Sequence, residues 1–207
     1  MHKAAPHPPT IGPELLNTQT WLRYVNLLWS PPASPLVVSG AGPASMSGVL
    51  AAWHCVGMQS VYEAAGGSEG LRRLAEAWHR RVMADEIVSH AFSHGFHPEH
   101  TERLAAYWAE ALGGPAAYSG AYGDETSVVR IHSGNGLHEE MDRRAIACFD
   151  QAMQDIGLDE AGSLWRVLHD YFAWATTTTM ARYHESADAV PEGMSIPHWS
   201  WDGLQRA

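Results

Sequence analysis

Three histidines stand at or beside positions where helical periodicity calls for apolar residues. His79 and His100 lie on two predicted helices, and His132 lies in the connection that follows the second of them. Burying an imidazole costs free energy unless the ring makes a hydrogen bond or ligates a metal. Its pKa lies near neutral pH, so it can also serve as an acid or a base. A lone histidine at such a position is more often an ordinary core residue, but the three together predict a shared pocket.

A second group of histidines offers zinc as an alternative. His90, His94, His97 and His100 fall within eleven residues, and imidazole is a common zinc ligand. The group contains no cysteine, and its spacing matches neither a zinc finger nor the H-E-x-x-H arrangement on a helix. We interpret the first three of these histidines as part of a solvated loop. Haem explains more of the pattern, because it needs one axial imidazole and, on its other face, an apolar and aromatic pocket with few hydrogen-bonding groups.

The composition limits the binding partners and the cell compartment that we expect for this protein. The 207 residues carry a formal charge of -10, which would repel nucleic acid or an anionic membrane. No stretch approaches the ~20 consecutive apolar residues of a membrane-spanning helix. Cys55 and Cys148 lie in different contexts and form no disulfide framework, so we expect a cytoplasmic protein. With 45% hydrophobic and 17% charged residues, the chain has a globular composition.

Three regions differ in their pattern. Residues 1–57 are rich in proline and glycine, which break regular structure, and we expect a poorly ordered arm. Residues 58–185 hold the strongly helical pattern of the domain. Residues 186–207 form a tail with Pro191, Pro197, Trp199 and Trp201, which we expect to be extended and to pack on the domain.

Four helices are predicted inside the domain. Ser68 is a suitable N-cap for the first, which runs to about Asp85, and Pro98 suits the first turn of the second. Gly113-Gly114-Pro115 ends the second helix, and the stretch from Tyr118 to Gly136 reads as irregular. The third and fourth helices carry apolar stripes at helical spacing, Met141, Ala145, Cys148, Phe149 and Ala152 on the third and Leu164, Val167, Leu168, Phe172 and Ala175 on the fourth. With no run of alternating polarity, the fold class is all-α.

Several segments resemble the group II truncated haemoglobins. The resemblance rests on Ser60–Gly67, Asp85–Phe92, Glu102-Arg103-Leu104, and Arg130-Ile131-His132, in the family's order and spacing. The most specific match is Leu112-Gly113-Gly114-Pro115 followed by Tyr118-Ser119. The resemblance covers about residues 58–158. It implies a truncated-globin fold that encloses haem b.

Position by position, the resemblance implies roles for individual residues. His132 matches the proximal iron ligand, and His79 falls at the distal site that usually holds tyrosine. His100 falls at the distal gate, so His79 and His100 are the candidate catalytic residues. Other positions implied to contact the haem are Trp78, Phe92, Leu104 and Ala145, with Arg103 and Arg130 as partners for its propionates.

Two departures from the family pattern bear on function. Ala145 stands where the family has a distal tryptophan, and Ser133-Gly134-Asn135-Gly136 replaces an apolar turn. Two histidines thus replace a hydrogen-bonding Tyr/Trp pair, and the missing indole should enlarge the distal cavity. The resemblance implies binding of O2, NO, CO or peroxide. Three classes of function stay open: haem-based redox catalysis of the NO dioxygenase or peroxidase type with an unknown reductase, non-catalytic binding or sensing of a diatomic ligand, and a haem-free helical interaction module.

Overall fold

The computed structural model describes residues 59–93 and 95–205. Seven α-helices occur in these ranges: α1 Val61–Ala64, α2 Gly67–Ala84, α3 His100–Ala111, α4 Ala117–Ala121, α5 Glu125–Ile131, α6 Glu139–Asp155 and α7 Ser163–Trp174. Shorter elements are a 3₁₀ helix at Val88–Phe92, a π-helical turn at Ala175–Met180 and a 3₁₀ turn at Ala187–Ala189. The all-α prediction is confirmed. The predicted arm, residues 1–57, lies outside the described residues.

The core forms where α2 packs on α3 and on α6, and α6 packs on α7. Its centre is aromatic. Phe149 of α6 stacks on Phe172 of α7 with ring centroids 4.1 Å apart, and Trp108 of α3 meets both rings edge-on. Stacked and edge-to-face contacts of this kind are favourable beyond the apolar area that they bury. These contacts fix the spacing of the helices that surround the functional cavity.

The start of α2 differs from the sequence-based prediction. Gly66 is the N-cap, with a left-handed φ of 91°, and the helix begins at Gly67. Ser68 already lies in the first turn, where its hydroxyl oxygen is 2.8 Å from that of Tyr62. The prediction of Ser68 as N-cap was wrong because the glycine pair adopts positive φ angles and turns the chain directly from α1 into α2.

The connection between α3 and α6 is more regular than expected. The stretch predicted to be irregular contains two short helices, α4 and α5. Asp124 caps α5, because its carboxylate accepts a hydrogen bond of 2.8 Å from the backbone N–H of Ser127. Seven residues are too few for a clear periodic signal, so this helix was missed. The preceding long helix, α3, begins at His100 rather than at Pro98.

The tail is folded rather than simply extended. Strands β1 (Trp199–Ser200) and β2 (Gly203–Leu204) form a two-residue antiparallel ladder. Trp199 is buried and lies edge-on to Tyr171, with ring centroids 5.9 Å apart. Trp201 donates a hydrogen bond from its indole nitrogen to the carbonyl of Gln59. Two positions bounded by a tight turn are too short to produce the alternation by which a strand is recognised in sequence.

None of the helices in the described ranges is both long and apolar enough to cross a lipid bilayer.

Candidate functional site

One largely apolar cavity lies between α2, α3, α5, α6 and α7, with a volume of about 220 Å³. Its wall includes Trp78, Phe92, His100, Arg103, Leu104, His132 and Ala145, which were all predicted as site residues. The sequence therefore identified seven residues that the fold brings to one cavity. A volume of 220 Å³ is below the ~300 Å³ at which typical ligand pockets begin, so a porphyrin requires the lining side chains to move apart.

His132 lies at the C-cap of α5, directly after the last helical residue. Its Nδ1 is 2.8 Å from the carbonyl oxygen of Val128, one turn earlier on the same helix. This contact assigns the proton to Nδ1, which leaves Nε2 as the nitrogen that can ligate a metal. Burial lowers the pKa of His132, and the bond to Val128 opposes that shift. A neutral, oriented imidazole on a cavity wall suits axial ligation of haem iron.

His100 is the first residue of α3 and lines the same cavity. Its Nε2 is buried and has no hydrogen-bond partner in the described part of the chain. Burial, with smaller effects of positive charge on His79, His132 and His97, lowers the pKa of His100 to about 4. His100 is thus a neutral base at physiological pH. A buried, unpartnered acceptor at this position is what a bound ligand with a hydrogen to donate would satisfy.

His79 does not lie on the cavity wall. It packs behind that wall, with its ring centroid 4.5 Å from Phe96, 5.4 Å from His100 and 5.5 Å from Phe92. Burial lowers its pKa. From this position His79 can influence a ligand through the neighbouring His100. Direct contact between His79 and a ligand stays a prediction.

The two predicted propionate partners differ in their surroundings. Arg103 lines the cavity with only 3% of its surface exposed, and its guanidinium lies 4.9 Å from the ring centroid of Tyr122. Its guanidinium Nη2 also donates to a carboxylate oxygen of the exposed Glu99 at 3.4 Å, so a haem propionate would share or replace that partner. Arg130 is not part of the wall. Its guanidinium bonds to Glu192 at 2.5 Å and to the carbonyl of Val190 at 3.4 Å, so its role at the propionates stays a prediction.

On the side of Ala145 the cavity wall has a small side chain. Trp78 donates a hydrogen bond of 3.2 Å from its indole nitrogen to the backbone carbonyl of Ala145. This ties α2 to α6 without placing a bulky group at position 145. The space predicted from the missing indole lies next to a wall of aromatic rings, including Trp78, Phe92 and Trp108.

Several polar wall residues were not identified as site residues from the sequence. Tyr107, Tyr118 and Tyr171 line the cavity, and the hydroxyl of Tyr107 donates a hydrogen bond of 2.7 Å to the buried Glu125. Burial raises the pKa of Glu125 to about 7. Of these three tyrosines, only Tyr118 was noted in the family resemblance, as part of the Gly-Gly-Pro match. Nothing in the local sequence marks Glu125 as buried, because acidic residues are usual in a first helical turn.

His138 and Asp142 add a second polar contact to the wall. Nδ1 of His138 is 2.9 Å from Oδ1 of Asp142, one turn into α6. That hydrogen bond raises the pKa of His138. The predicted zinc alternative finds no support in the described residues, which contain no group of three or more metal-ligating side chains. His94, one of the four histidines in that group, lies outside the described residues.

Haem fits the donor set of the cavity. His132 would hold the iron, Arg103 would face a propionate, and Phe92 and Leu104 supply apolar surface. The unpartnered Nε2 of His100 is one of a small number of polar groups on a largely apolar wall. Few polar groups on an apolar surface are typical of a globin ligand pocket.

Comparisons with known proteins agree with this geometry. The family model of the bacterial-like globins matches residues 60–176. Group 1 truncated haemoglobin GlbN of Mycolicibacterium paratuberculosis is 32% identical over 89 residues, which cover 43% of this chain and 62% of that protein. The chain thus spans less than two thirds of that relative.

Solved structures give the same fold. The group II truncated haemoglobin of Bacillus anthracis superposes with a TM-score of 0.52 at 21% identity, covering 58% of this chain and 89% of its own. The truncated oxygen-avid haemoglobin of Bacillus subtilis gives 0.52 at 22% identity, covering 58% and 98%. The family match and the structural similarity lead to one conclusion: the chain belongs to the bacterial-like globin family and has the truncated-globin fold.

Proposed function

We propose that this truncated globin binds haem b and performs redox chemistry on O2, NO or peroxide, with electrons from a separate reductase. Membership of the family implies haem-based binding of a diatomic ligand. The step from binding to catalysis rests on one observation: the buried, unpartnered Nε2 of His100 on the cavity wall. Such a group can move a proton to or from a ligand.

The sequence around the two cysteines supports non-covalent haem b over a covalently attached haem. Covalent attachment of a c-type haem needs a C-x-x-C-H motif. Cys55 is followed by Val-Gly-Met and Cys148 by Phe-Asp-Gln, so neither belongs to such a motif. Cys148 is a buried free thiol, which suits the reducing cytoplasm that we propose for this protein.

The side chains around the cavity have different roles in this proposal. Haem, when bound, supplies an iron site at which a diatomic ligand or peroxide binds. His132 keeps its imidazole oriented through the bond from Nδ1 to Val128. His100 is neutral, so its Nε2 could accept a proton from a ligand in the cavity and later return it. Haem, when bound, would supply the redox change that such a proton transfer accompanies. The apolar rings of Trp78, Phe92 and Trp108 exclude water from the cavity.

His100 can also donate to bound oxygen. In its neutral form it carries one ring proton, and the tautomer with that proton on Nε2 would stabilise partial negative charge on the ligand. This favours non-catalytic O2 binding as the second candidate function. The two functions differ in turnover, not in the cavity that they use.

The deciding experiment has a spectroscopic part and a kinetic part. Purified full-length protein reconstituted with haem should show a Soret band at one haem per chain. It should then reduce hydrogen peroxide or consume NO over many turnovers with an added electron donor, and His100→Leu should slow this by about 10²-fold or more, the usual contribution of a general acid–base group. Reversible O2 binding without turnover would leave only the binding function. Absence of a Soret band would rule out both the catalytic and the binding function.

A further inference from the structure

The segment from residue 181 to 196 runs along the outer side of α5 and of the loop that follows it; we call it the strap. It begins beyond residue 176, where the match to the family model ends. The strap therefore lies outside the part of the chain that matches the family model. Its contacts are concentrated on the segment that carries His132.

The first contacts fix the loop directly after His132. The backbone N–H of Gly134 donates to the carbonyl of Tyr183 at 3.0 Å, and that of Gly136 donates to the carbonyl of His184 at 2.8 Å. Gly134 has a left-handed φ of 73°. A Cβ atom built there would lie 3.1 Å from the backbone nitrogen of Ala187. The close approach of loop and strap and the left-handed φ both favour glycine at position 134.

The second contacts fix the beginning of α5. Thr126 is buried, and its hydroxyl both donates to the carbonyl of Pro191 at 3.1 Å and accepts from the backbone N–H of Met194 at 3.0 Å. One side chain therefore bridges two points of the strap. Val190 and Ile196 of the strap are themselves buried, so the strap is anchored.

A third contact lies between these two. Arg130, two residues before His132, bonds to Glu192 and to the carbonyl of Val190. The strap thus holds α5 and its following loop at three places along 11 residues, from Thr126 to Gly136. An isolated helix of fewer than ~12 residues is only marginally stable in water, so α5 needs such external support.

We propose that the strap is a positioning element, which holds α5 so that the imidazole of His132 keeps a fixed place on the cavity wall. The inference rests on the proposed role of His132 as haem ligand. Its consequence is that residues beyond the matched globin domain control haem retention and the iron–imidazole bond. Because the strap touches the side of α5 away from the cavity, it acts without contacting the ligand.

Two variants test the proposal in the full-length protein. Thr126→Val keeps the shape of the side chain but removes both hydrogen bonds to the strap, and Gly134→Ala introduces a Cβ against Ala187. The matched control is Trp201→Phe, which removes the hydrogen bond from the tail to Gln59 but leaves every strap contact intact. All three variants perturb contacts of residues 181–205 with the rest of the domain, and only the first two change contacts of α5 or its loop.

Three measurements separate positioning from general stability. Amide hydrogen exchange of residues 128–136 in the haem-free protein should rise in both strap variants and stay unchanged in the control. Transfer of haem to an acceptor apoglobin should become faster by up to about tenfold, as expected for two lost hydrogen bonds. The iron–histidine stretching band of the ferrous protein should shift in the strap variants alone.

Each outcome decides the proposal. Unchanged exchange at residues 128–136 would overturn it whether or not haem binds. Faster exchange with unchanged haem transfer and an unchanged stretching band would overturn it too, because the strap would then only stabilise the fold. If the wild-type protein retains no haem, the proposed function fails first, and the positioning role falls with it. Faster exchange, faster haem transfer and a shifted band, all absent from the control, would establish it.

Discussion

Tyr107 donates its phenolic hydrogen to Glu125 across 2.7 Å, and Glu125 lies two turns before His132 on the same short helix. Both residues are buried, and the second carboxylate oxygen of Glu125 has no hydrogen-bond partner among the described residues. A buried carboxylate with one donor is poorly stabilised in its charged form. Glu125 thus binds a proton more readily than an exposed glutamate. It is joined to the cavity wall through Tyr107 and lies on the helix that ends at the proposed iron ligand.

Glu125→Gln should change how stability depends on pH. Burial raises the pKa of Glu125 to about 7 in the folded chain, against 4.5 for an unperturbed glutamate. Between these values the folded state holds a proton that the unfolded state has released, so the stability of the wild type falls as pH rises through this window. Glutamine does not titrate. The variant should gain up to about 3 kcal/mol relative to the wild type between pH 4.5 and 8.

Urea unfolding of the haem-free protein at several pH values measures this difference. A constant offset between variant and wild type is acceptable, because the amide brings its own hydrogen-bonding needs. The exposed Glu139→Gln serves as control and should follow the wild type at every pH. Parallel stability curves for Glu125→Gln and the wild type would rule out a raised pKa of Glu125.

His132→Ala should abolish stable haem retention, because the axial bond is lost while the apolar wall stays. His90→Ala is the matched control, since His90 is exposed and absent from the cavity wall. The ratio of Soret to protein absorbance after gel filtration measures retention. Added free imidazole should restore part of the Soret band in His132→Ala by occupying the vacated space. Equal haem content in the two variants would contradict the assignment of the iron ligand.

The sequence contained enough to predict the helical class and seven residues of the cavity wall. Long helices with several turns of periodic apolar residues gave Trp78, Leu104 and Ala145 their correct faces. His100 and His132 stood out because an imidazole on or beside an apolar stripe needs a partner. These predictions depended on patterns that extend over many residues.

The remainder depended on contacts between distant segments. His79 shares the periodicity of α2, but only the positions of Phe92 and Phe96 place it behind the wall rather than on it. Arg130 lies next to a ligand segment in sequence, and Glu192, 62 residues later, determines where its guanidinium points. Glu125 is buried by α3 and the tyrosines, which no local pattern reveals. Such long-range pairings leave no signal in a single sequence.

His100→Leu should protect the haem-free protein against acid. Burial lowers the pKa of His100 to about 4. Between pH 6.5 and 4 the imidazole therefore binds a proton in the unfolded chain but not in the folded chain. Stability of the wild type therefore falls as pH falls through this window. Removing the imidazole should reduce that loss by up to about 3 kcal/mol. Chemical denaturation at pH 7 and pH 4.5 measures it, with His90→Leu as an exposed control. An equal acid-induced loss in wild type and His100→Leu would refute the lowered pKa.

Ala145→Trp should make the cavity selective for small ligands. Ala145 lines the cavity, and the hydrogen bond from Trp78 reaches its backbone carbonyl, so the substitution keeps that contact while adding an indole to the space. Forcing extra volume against a packed wall typically costs about 1–3 kcal/mol. The affinity of the haem-loaded protein for an alkyl isocyanide should therefore fall about tenfold or more relative to its affinity for CO.

Carbon monoxide serves as the internal reference, because a diatomic ligand needs little of the space that the indole fills. A general distortion of the cavity would weaken both ligands together, whereas filling of the distal space weakens the bulky one selectively. Equilibrium titrations monitored at the Soret band give both affinities on the same sample. An unchanged ratio of the isocyanide and CO affinities would mean that the space next to position 145 takes no part in ligand binding. The small side chain of Ala145 would then not explain access for a substrate larger than a diatomic molecule.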